Sequence, residues 1–351
     1  MGYSLSWSLE DIYTPLREIP IVFLQIIQYF CNWSSPAAPN KHTATDNKVH
    51  GPLLAFSYAG MLWSYYLGAV AFFRDHFDLH QSKVSLSGIS AGCASVMVIF
   101  LDLSIEQGFE FGLEWNKLFN SRFLKFFALS TSQTLRMIVN KFEQFGITDQ
   151  VLAAQYAKYG GANAIHFGVT AFQFTRLRIF HLILNNFTSL KQTVYAALCS
   201  MRIVPFFRSF GFYNGYYCCD GAVTSNYSIP TIYRTPANKD KVIRIGVLSD
   251  KLVKSDIAPN QNFHLNEFII SGDMDANLVR FNKGYRDAAA FANVVDNYIR
   301  KGLIWSHSQI DPQQFEDAGF ERQWNTHIDE RVNEWNMRIK KHINDCQEKE
   351  C

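Results

Sequence analysis

The sequence has little charge, and the charge that it has is nearly balanced. Charged residues make up 18% of its 351 residues, and the formal net charge is +2. No stretch gathers lysine and arginine into a basic stripe. Because nucleic-acid binding depends on a strong positive field, we predict no nucleic-acid partner.

Cysteine spacing of the metal-binding type is also missing. Cys218 and Cys219 are adjacent, and the other five of the seven cysteines are scattered. An odd number without a framework is typical of reduced thiols in the cytosol. We therefore predict a cytoplasmic protein with no metal ion and no cofactor. The Asn-x-Ser/Thr matches at Asn32, Asn186 and Asn226 are predicted to be unmodified.

No hydrophobic run is long enough to span a membrane. Ile19–Trp33 comes nearest, but it has about 15 residues, against the roughly 20 that a spanning helix needs. Its polar side chains fall on one helical face, which is typical of an apolar helix that lies in a membrane interface or packs on its own domain. Together with a polar, proline-containing linker at 36–52, this segment predicts an N-terminal extension over residues 1–50.

Apolar residues, in contrast, are abundant. Hydrophobic residues make up 48% of the chain and aromatic residues 15%, with 30 phenylalanines. This composition predicts a folded chain with a large apolar interior or an apolar ligand.

Residues 51–303 alternate between strand and helix patterns. The predicted strands are Leu53–Ser57, Val84–Gly88, Ile165–Phe172, Arg178–Leu184, Tyr216–Cys219 and Val242–Ser249. The predicted helices lie in Tyr58–Val70, in 105–163, and at Leu190–Met201 and Asn277–Lys301. Such alternation in one block predicts an α/β domain with three layers, α/β/α.

A G-x-S-x-G motif stands where the second predicted strand meets a helix of small residues. Its glycines, Gly88 and Gly92, flank Ser90 and leave room for strand and helix to approach closely. The helix N-terminus directs free N–H groups toward charge that develops beside the serine. The motif predicts a nucleophile elbow with Ser90 as the nucleophile.

The helical stretch 105–163 is rich in phenylalanine. One interpretation is helix packing against the core. The other is an acyl-chain groove or a lid over Ser90. Both interpretations remain open at the level of sequence.

The last part of the chain, residues 304–351, has a different pattern. Trp324, Ile328, Val332, Trp335 and Ile339 form one apolar stripe at helical spacing, with charged residues between them. This predicts a C-terminal amphipathic helix. Such a helix docks on its own domain, on a membrane or on a partner.

Three separated pieces of the chain resemble the patatin-like phospholipase family. They are the elbow at Gly88–Gly92, the Asp220-Gly221-Ala222 tripeptide, and the strand-to-helix entrance at Phe56–Val70. The entrance resembles the glycine-rich opening of the branch that includes adipose triglyceride lipases and adiponutrin-type proteins. The resemblance covers roughly residues 51–300 and leaves both ends unexplained.

The resemblance implies a Ser–Asp dyad, formed here by Ser90 and Asp220. The serine would attack an ester carbonyl to form an acyl-enzyme, while the aspartate accepts the serine proton. It also implies an oxyanion hole of backbone N–H groups, which here would come from Ala59, Gly60 and Ala91.

The family's glycine-rich opening is altered in this chain. Its three glycine positions read Tyr58, Gly60 and Trp63. A bulky residue would be strained wherever the backbone needs a positive φ.

The function implied by the resemblance is hydrolysis of fatty-acid esters of glycerolipids or phospholipids, at a membrane or lipid-droplet surface with which the protein associates peripherally. The sequence does not indicate the oligomeric state. Three alternatives stay open. They are an α/β-hydrolase triad of Ser90, Asp220 and either His264 or His307; a catalytically weak or inactive lipid-binding or regulatory protein; and a scaffold that acts through its C-terminal helix.

Overall fold

A computed structural model describes residues 51–123, 130–173, 178–203, 210–248, 253–261, 263–269, 272–290, 297–306 and 320–350. The predicted N-terminal extension, with its apolar helix Ile19–Trp33, lies outside the described residues. Within the described residues, no helix is both long enough and apolar enough to cross a membrane.

Strands and helices alternate over most of the described chain. The strands are β1 (Leu53–Phe56), β2 (Phe77–Asp78), β3 (Ser85–Ile89), β4 (Ile165–Gln173), β5 (Arg178–Leu184), β6 (Gly211–Tyr213), β7 (Tyr216–Asp220), β8 (Val242–Ile245) and β9 (Ile304–Trp305). The helices are α1 (Trp63–His76), α2 (Ala91–Phe100), α3 (Ile105–Phe123), α4 (Thr131–Gln144), α5 (Asp149–Lys158), α6 (Leu190–Ser200), α7 (Leu265–Ile269), α8 (Met274–Ala289) and α9 (Phe320–Glu350). The prediction that 105–163 is helical without a strand is confirmed for its described residues.

Seven of the described strands form a central mixed sheet in the order β6-β7-β4-β3-β1-β8, and β5 also pairs with β4. The middle strands are parallel, because β1 runs parallel to β3 and β8, and β3 runs parallel to β4. Strands β5 and β7 run antiparallel to β4. The fold is thus a mixed α/β fold with a central sheet flanked by helices.

Both faces of the central strand β1 are buried. Leu54 and Phe56 belong to the main hydrophobic core, which also contains residues of α1, α2 and α6. Leu53 and Ala55 point to the other face, because side chains alternate along a strand, and they form a smaller cluster with Tyr227 and other residues. A strand buried on both faces explains why its sequence, LLAF, is continuously apolar.

The C-terminal helix α9 belongs to the same core. Its stripe of Trp324, Ile328, Val332, Trp335 and Ile339 is buried in the cluster that contains the central strands. The helix therefore packs on its own domain.

A largely buried carboxylate on α1 fixes the position of this helix. Asp75 accepts hydrogen bonds from the Arg331 Nη2 (2.8 Å), the Trp335 indole N–H (2.9 Å) and the Tyr285 hydroxyl (2.7 Å). Residues of α9 and α8 thus share one acceptor on α1.

Two predicted elements are shorter in the structure. The strand predicted at Val242–Ser249 ends at Ile245, since its register partner Phe56 is the last residue of β1. The helix predicted at Asn277–Lys301 begins at Met274 and ends at Ala289.

The limits of α8 are set by hydrogen bonds at its two ends. The Asp273 carboxylate caps its start by accepting from the N–H of Ala276 (2.8 Å). At its end, the carbonyls of Ala288 and Ala289 accept from the Tyr298 hydroxyl and the Trp324 indole. These carbonyls would otherwise bond the next helical turn.

Candidate active site

The pairing of β4 brings the ends of two strands together. On one edge of β4, Gly168 is the register partner of Ile89, the last residue of β3. The next residue, Val169, is the register partner of Asp220, the last residue of β7. Because β3 and β7 run in opposite directions along this edge, their carboxyl ends meet. The residue after β3 is Ser90.

Ser90 occupies a strained turn between β3 and α2. Its backbone has φ 52° and ψ −129°, which is rare for a residue other than glycine. The turn is tight because Gly88 and Gly92 touch. A Cβ on Gly88 would lie 2.6 Å from the carbonyl carbon of Gly92, and a Cβ on Gly92 would lie 2.5 Å from the carbonyl oxygen of Ser57. Both positions therefore require glycine.

A second serine holds this turn in place. The backbone N–H of Ser90 donates to Ser200 Oγ (2.9 Å), and the Ser200 hydroxyl donates to the Gly168 carbonyl (2.5 Å). Ser200 is the last residue of α6 and is fully buried. Sequence reasoning did not single out this residue, and no local motif marks it.

The hydroxyl of Ser90 donates to Asp220 Oδ2 at 2.7 Å, and both residues are buried. The other carboxylate oxygen accepts from the N–H of Ala222 (2.8 Å). Burial raises the pKa of the Asp220 carboxyl to about 6, and the hydrogen bonds from Ala222 and Ser90 oppose that rise. The site thus pairs a strained serine with a weakly basic carboxylate.

This direct contact is incompatible with a Ser–His–Asp triad, in which an imidazole stands between serine and aspartate. Of the two histidines considered for that role, His264 is exposed and its backbone N–H bonds to Glu267. His307 lies outside the described residues.

Polar side chains support Asp220 from behind. Thr170 Oγ1 donates to the Asp220 backbone carbonyl (2.7 Å) and lies 2.9 Å from Thr224 Oγ1, which in turn contacts His181 Nδ1 (3.2 Å). Burial lowers the pKa of His181 to about 4, and the Arg234 charge adds to the effect. The imidazole is therefore neutral at neutral pH. It contacts Thr224, which in turn contacts Thr170, and it is not bonded to the carboxylate oxygens of Asp220.

The entrance loop after β1 contains the predicted oxyanion-hole residues Ala59 and Gly60. Gly60 has φ +54°, and a Cβ there would lie 2.4 Å from the Phe268 carbonyl oxygen. Among the described residues, the N–H groups of Ala59, Gly60 and Ala91 have no protein acceptor.

The two bulky residues of the altered opening fit without backbone strain. Tyr58 does not have a positive φ. Its side chain is partly buried and lies near Asp220, since burial first and the Asp220 charge second raise its pKa to about 12. Trp63 is the first residue of α1, and its indole N–H donates to Asn116 Oδ1 (3.0 Å).

An apolar cavity opens between α1, α2 and α3 beside these groups. Its empty space, including the part open to solvent, is about 540 Å³. Gly60 and Ala91 both line it, whereas Ala59 does not. The rest of the wall is Trp63, Leu67, Ala94, Ser95, Val98, Gly108, Phe111, Gly112, Trp115, Ile138 and Met201. Of the phenylalanine-rich stretch, Phe109 packs in the core, while Phe111 and Trp115 face this cavity.

No protein-family model matches this chain, and no curated protein matches it. Among solved structures, the chain is similar to VipD from Legionella pneumophila, with 11% sequence identity and a TM-score of 0.33. The alignment covers 80% of this chain and 63% of VipD, so the chain spans less than two thirds of that protein. Similarity at this level does not identify the family of the chain.

Proposed function

We propose that this protein is a lipid acyl hydrolase of the patatin-like phospholipase type, with Ser90 as nucleophile and Asp220 as general base. The observation that carries the proposal is the 2.7 Å hydrogen bond from the Ser90 hydroxyl, in a strained strand-to-helix turn, to the buried Asp220 carboxylate. In this reading the turn is a nucleophile elbow in a three-layer α/β/α domain.

The chemistry follows from the positions of these groups. Ser90 Oγ attacks the ester carbonyl carbon while Asp220 takes the hydroxyl proton. The negative oxygen of the tetrahedral intermediate accepts from backbone N–H groups, for which Ala59, Gly60 and Ala91 are the candidates. The alcohol then leaves with a proton from Asp220. Water, deprotonated by the same carboxylate, releases the fatty acid from Ser90.

The apolar lining of the cavity favours a fatty-acid chain as the acyl group of the ester substrate. The cavity is lined by aliphatic and aromatic side chains, and its wall includes Gly60 and Ala91, two of the three candidate oxyanion donors. Ligand pockets with a mostly apolar wall and a few polar groups at one end suit such amphipathic substrates. We therefore propose glycerolipids or phospholipids as substrates, reached by peripheral association with a membrane or lipid droplet in the cytoplasm.

A lipid-binding or regulatory protein with little turnover is the second candidate. The observation that favours it is Trp63, which stands in the altered opening and lines the cavity. A large ring at this position could restrict the approach of an ester to Ser90. Both candidates bind acyl chains, so only turnover separates them.

The test is release of fatty acid from mixed glycerolipid vesicles and emulsions by the purified protein, beside S90A and D220N. Matched controls are S132A and D102N, because Ser132 and Asp102 are an exposed serine and an exposed aspartate. We expect activity in the wild type and in both controls, and its loss in S90A and D220N. A fluorophosphonate probe should label the wild type but not S90A. If wild type and S90A release equal amounts while both bind vesicles, the hydrolase proposal is wrong.

A further inference from the structure

We propose that Glu110, His342 and Cys346 form a zinc site between α3 and α9. In the described part of the chain, the carboxylate oxygen, imidazole nitrogen and thiol sulfur of these residues lie within 4.8 Å of one another. The set is independent of Ser90 and Asp220 and of the proposed hydrolase activity. Its ligand types, one carboxylate, one imidazole and one thiolate, are those that zinc accepts in proteins.

The pair on α9 has the spacing that a metal needs. His342 and Cys346 are four residues apart, so they lie on one face of the helix. His342 Nε2 and Cys346 Sγ are 3.7 Å apart. With Zn–S of about 2.3 Å and Zn–N of about 2.0 Å, two ligand atoms of a zinc tetrahedron are separated by about 3.6 Å. The nitrogen and sulfur are therefore already at the required distance.

The third ligand comes from α3. Glu110 Oε2 lies 2.7 Å from His342 Nε2, at hydrogen-bond distance. The corresponding edge of a zinc tetrahedron is about 3.3 Å, so binding would separate these atoms by only about 0.6 Å. Zinc would replace the proton that now joins the two side chains.

Lys141 prepares the carboxylate for this role. Lys141 Nζ lies 2.5 Å from Glu110 Oε1, the oxygen that does not face His342. The carboxylate is thus contacted by a cation at one oxygen and by His342 at the other. It is oriented by a partner behind it, as metal ligands commonly are.

The local charge balance also suits a divalent cation. Glu110, Glu114 and a Cys346 thiolate carry three negative charges, and Lys141, bonded to both glutamates, carries one positive charge. The net charge of these four groups is therefore −2, which a Zn²⁺ ion would neutralise. His342 is one-third exposed, so water can reach the site and supply a fourth ligand.

The sequence could not indicate this site, because its first ligand is 232 residues away from the second. The prediction of no metal rested on the spacing of cysteines alone. Occupancy would join α9 to α3 next to Phe111, which lines the apolar cavity.

The experiment is a zinc titration of the full chain after removal of metal, in competition with a chromophoric chelator, and a parallel titration with Co²⁺. The test variants are C346S and H342Q. Glutamine at 342 keeps an N–H group for Glu110 but is a poor zinc ligand. The matched controls are C351S, which removes the other thiol near this end of the chain, and H327Q, which changes another histidine of α9.

We expect one equivalent of zinc, and a Co²⁺ form with a thiolate charge-transfer band. Affinity should fall by at least about 100-fold in C346S and H342Q, since loss of a partner behind a ligand alone costs about 10- to 100-fold. Both controls should bind as the wild type does. Helical circular dichroism of each metal-free variant verifies that it is folded. Absence of stoichiometric binding, or binding that both test variants retain, would overturn the proposal.

Discussion

In the proposed mechanism, the Asp220 carboxyl must act as a base in surroundings that disfavour its charge. Its side chain is buried, and only the Ser90 hydroxyl and the Ala222 N–H donate to its oxygens among the described residues. A raised pKa makes a carboxylate a stronger base, which is what proton removal from a serine requires. The same property gives two measurable consequences.

The first consequence is the pH dependence of hydrolysis. Asp220 accepts a proton only when it is ionised, and burial raises its pKa to about 6. We expect kcat/KM to be constant above pH 7 and to fall about tenfold per pH unit well below pH 6. Initial rates between pH 4.5 and 8.5 on a soluble ester test this. A midpoint near pH 4 would show that burial does not raise the pKa of the base.

The second consequence is the pH dependence of stability. The pKa of Asp220 in the folded protein, about 6, is higher than the ordinary aspartate value of 3.8, which applies to the unfolded chain. The ionised form therefore destabilises the fold above pH 6, and the effect vanishes below about pH 4. A difference of about two pKa units corresponds to about 3 kcal/mol. We expect D220N to be more stable than the wild type in urea at pH 7.5, by a margin that shrinks toward pH 4. An equal margin at both pH values would contradict this account.

Ser200 is a positioning residue for the same turn. Its hydroxyl accepts from the N–H of Ser90 and donates to the Gly168 carbonyl. In S200A both groups lose a buried partner, and each unsatisfied group costs about 1–3 kcal/mol. We expect S200A to lower kcat by more than about tenfold with KM little changed, because the nucleophile is misplaced while the cavity is intact. S200T keeps the hydroxyl and should recover most of the loss. Equal defects in S200A and S200T would argue for a steric cause.

At the scale of elements, α2 combines two tasks. Its first turn carries Ala91 beside Ser90, and its next turn carries Ala94 and Ser95 in the cavity wall. Helix α3 forms the opposite wall with Phe111 and Trp115. Helix α2 therefore joins one wall of the apolar cavity to the turn that holds Ser90.

This arrangement predicts that Ala94 controls the usable length of the acyl chain. Leucine at this partly exposed position would fill cavity space without changing the turn at Ser90. We expect A94L to lower kcat/KM for long-chain esters by about tenfold or more, since each methylene excluded from an apolar pocket is worth about 1–3 kcal/mol. Short-chain esters should be little affected. A153L, at an exposed position of α5, is the matched control. Equal losses for long and short chains would contradict a role in chain binding.

At the scale of the whole molecule, α9 completes the core instead of standing apart from it. Ile339 is fully buried, whereas Met337, two residues earlier on the same helix, is 67% exposed. Removing a buried isoleucine side chain typically costs about 2–5 kcal/mol, while an exposed change stays within about 0.5 kcal/mol. We expect I339A to lose stability in urea by that larger amount and M337A to be unchanged. Similar stability of both variants would indicate that α9 is detached in solution.

Much of the element order could be predicted because local patterns are strong in this chain. The continuous apolar run at Leu53 and the turn signals around Ser90 are local properties. The ends of β8 and α8 were predicted wrongly because they depend on distant partners. β8 stops where β1 stops, and the last carbonyls of α8 are taken by Tyr298 and Trp324.

The residues of the candidate site are likewise of two kinds, those that lie in a local motif and those that act through distant contacts. Ser90 and Asp220 lie in short motifs, so their residue types and order could be recognised. Ser200 acts through one hydroxyl across 110 residues of chain, and the convergence of α3 with α9 involves a separation of 232 residues. Contacts of this kind depend on the register of β4 and on helix packing. Neither can be predicted from local sequence patterns.

The position of α9 in the chain also affects synthesis. Translation proceeds at about 5–20 residues per second, so more than about ten seconds separate the emergence of β1 from that of α9. Until α9 emerges, the face of α1 that it covers in the folded protein lacks this packing partner, and so does the face of α8 once that helix has been made. We therefore expect a nascent chain of this protein to display apolar surface to chaperones until residues 320–343 have left the ribosome. Premature stop codons in this region should give aggregating products rather than shortened folded proteins.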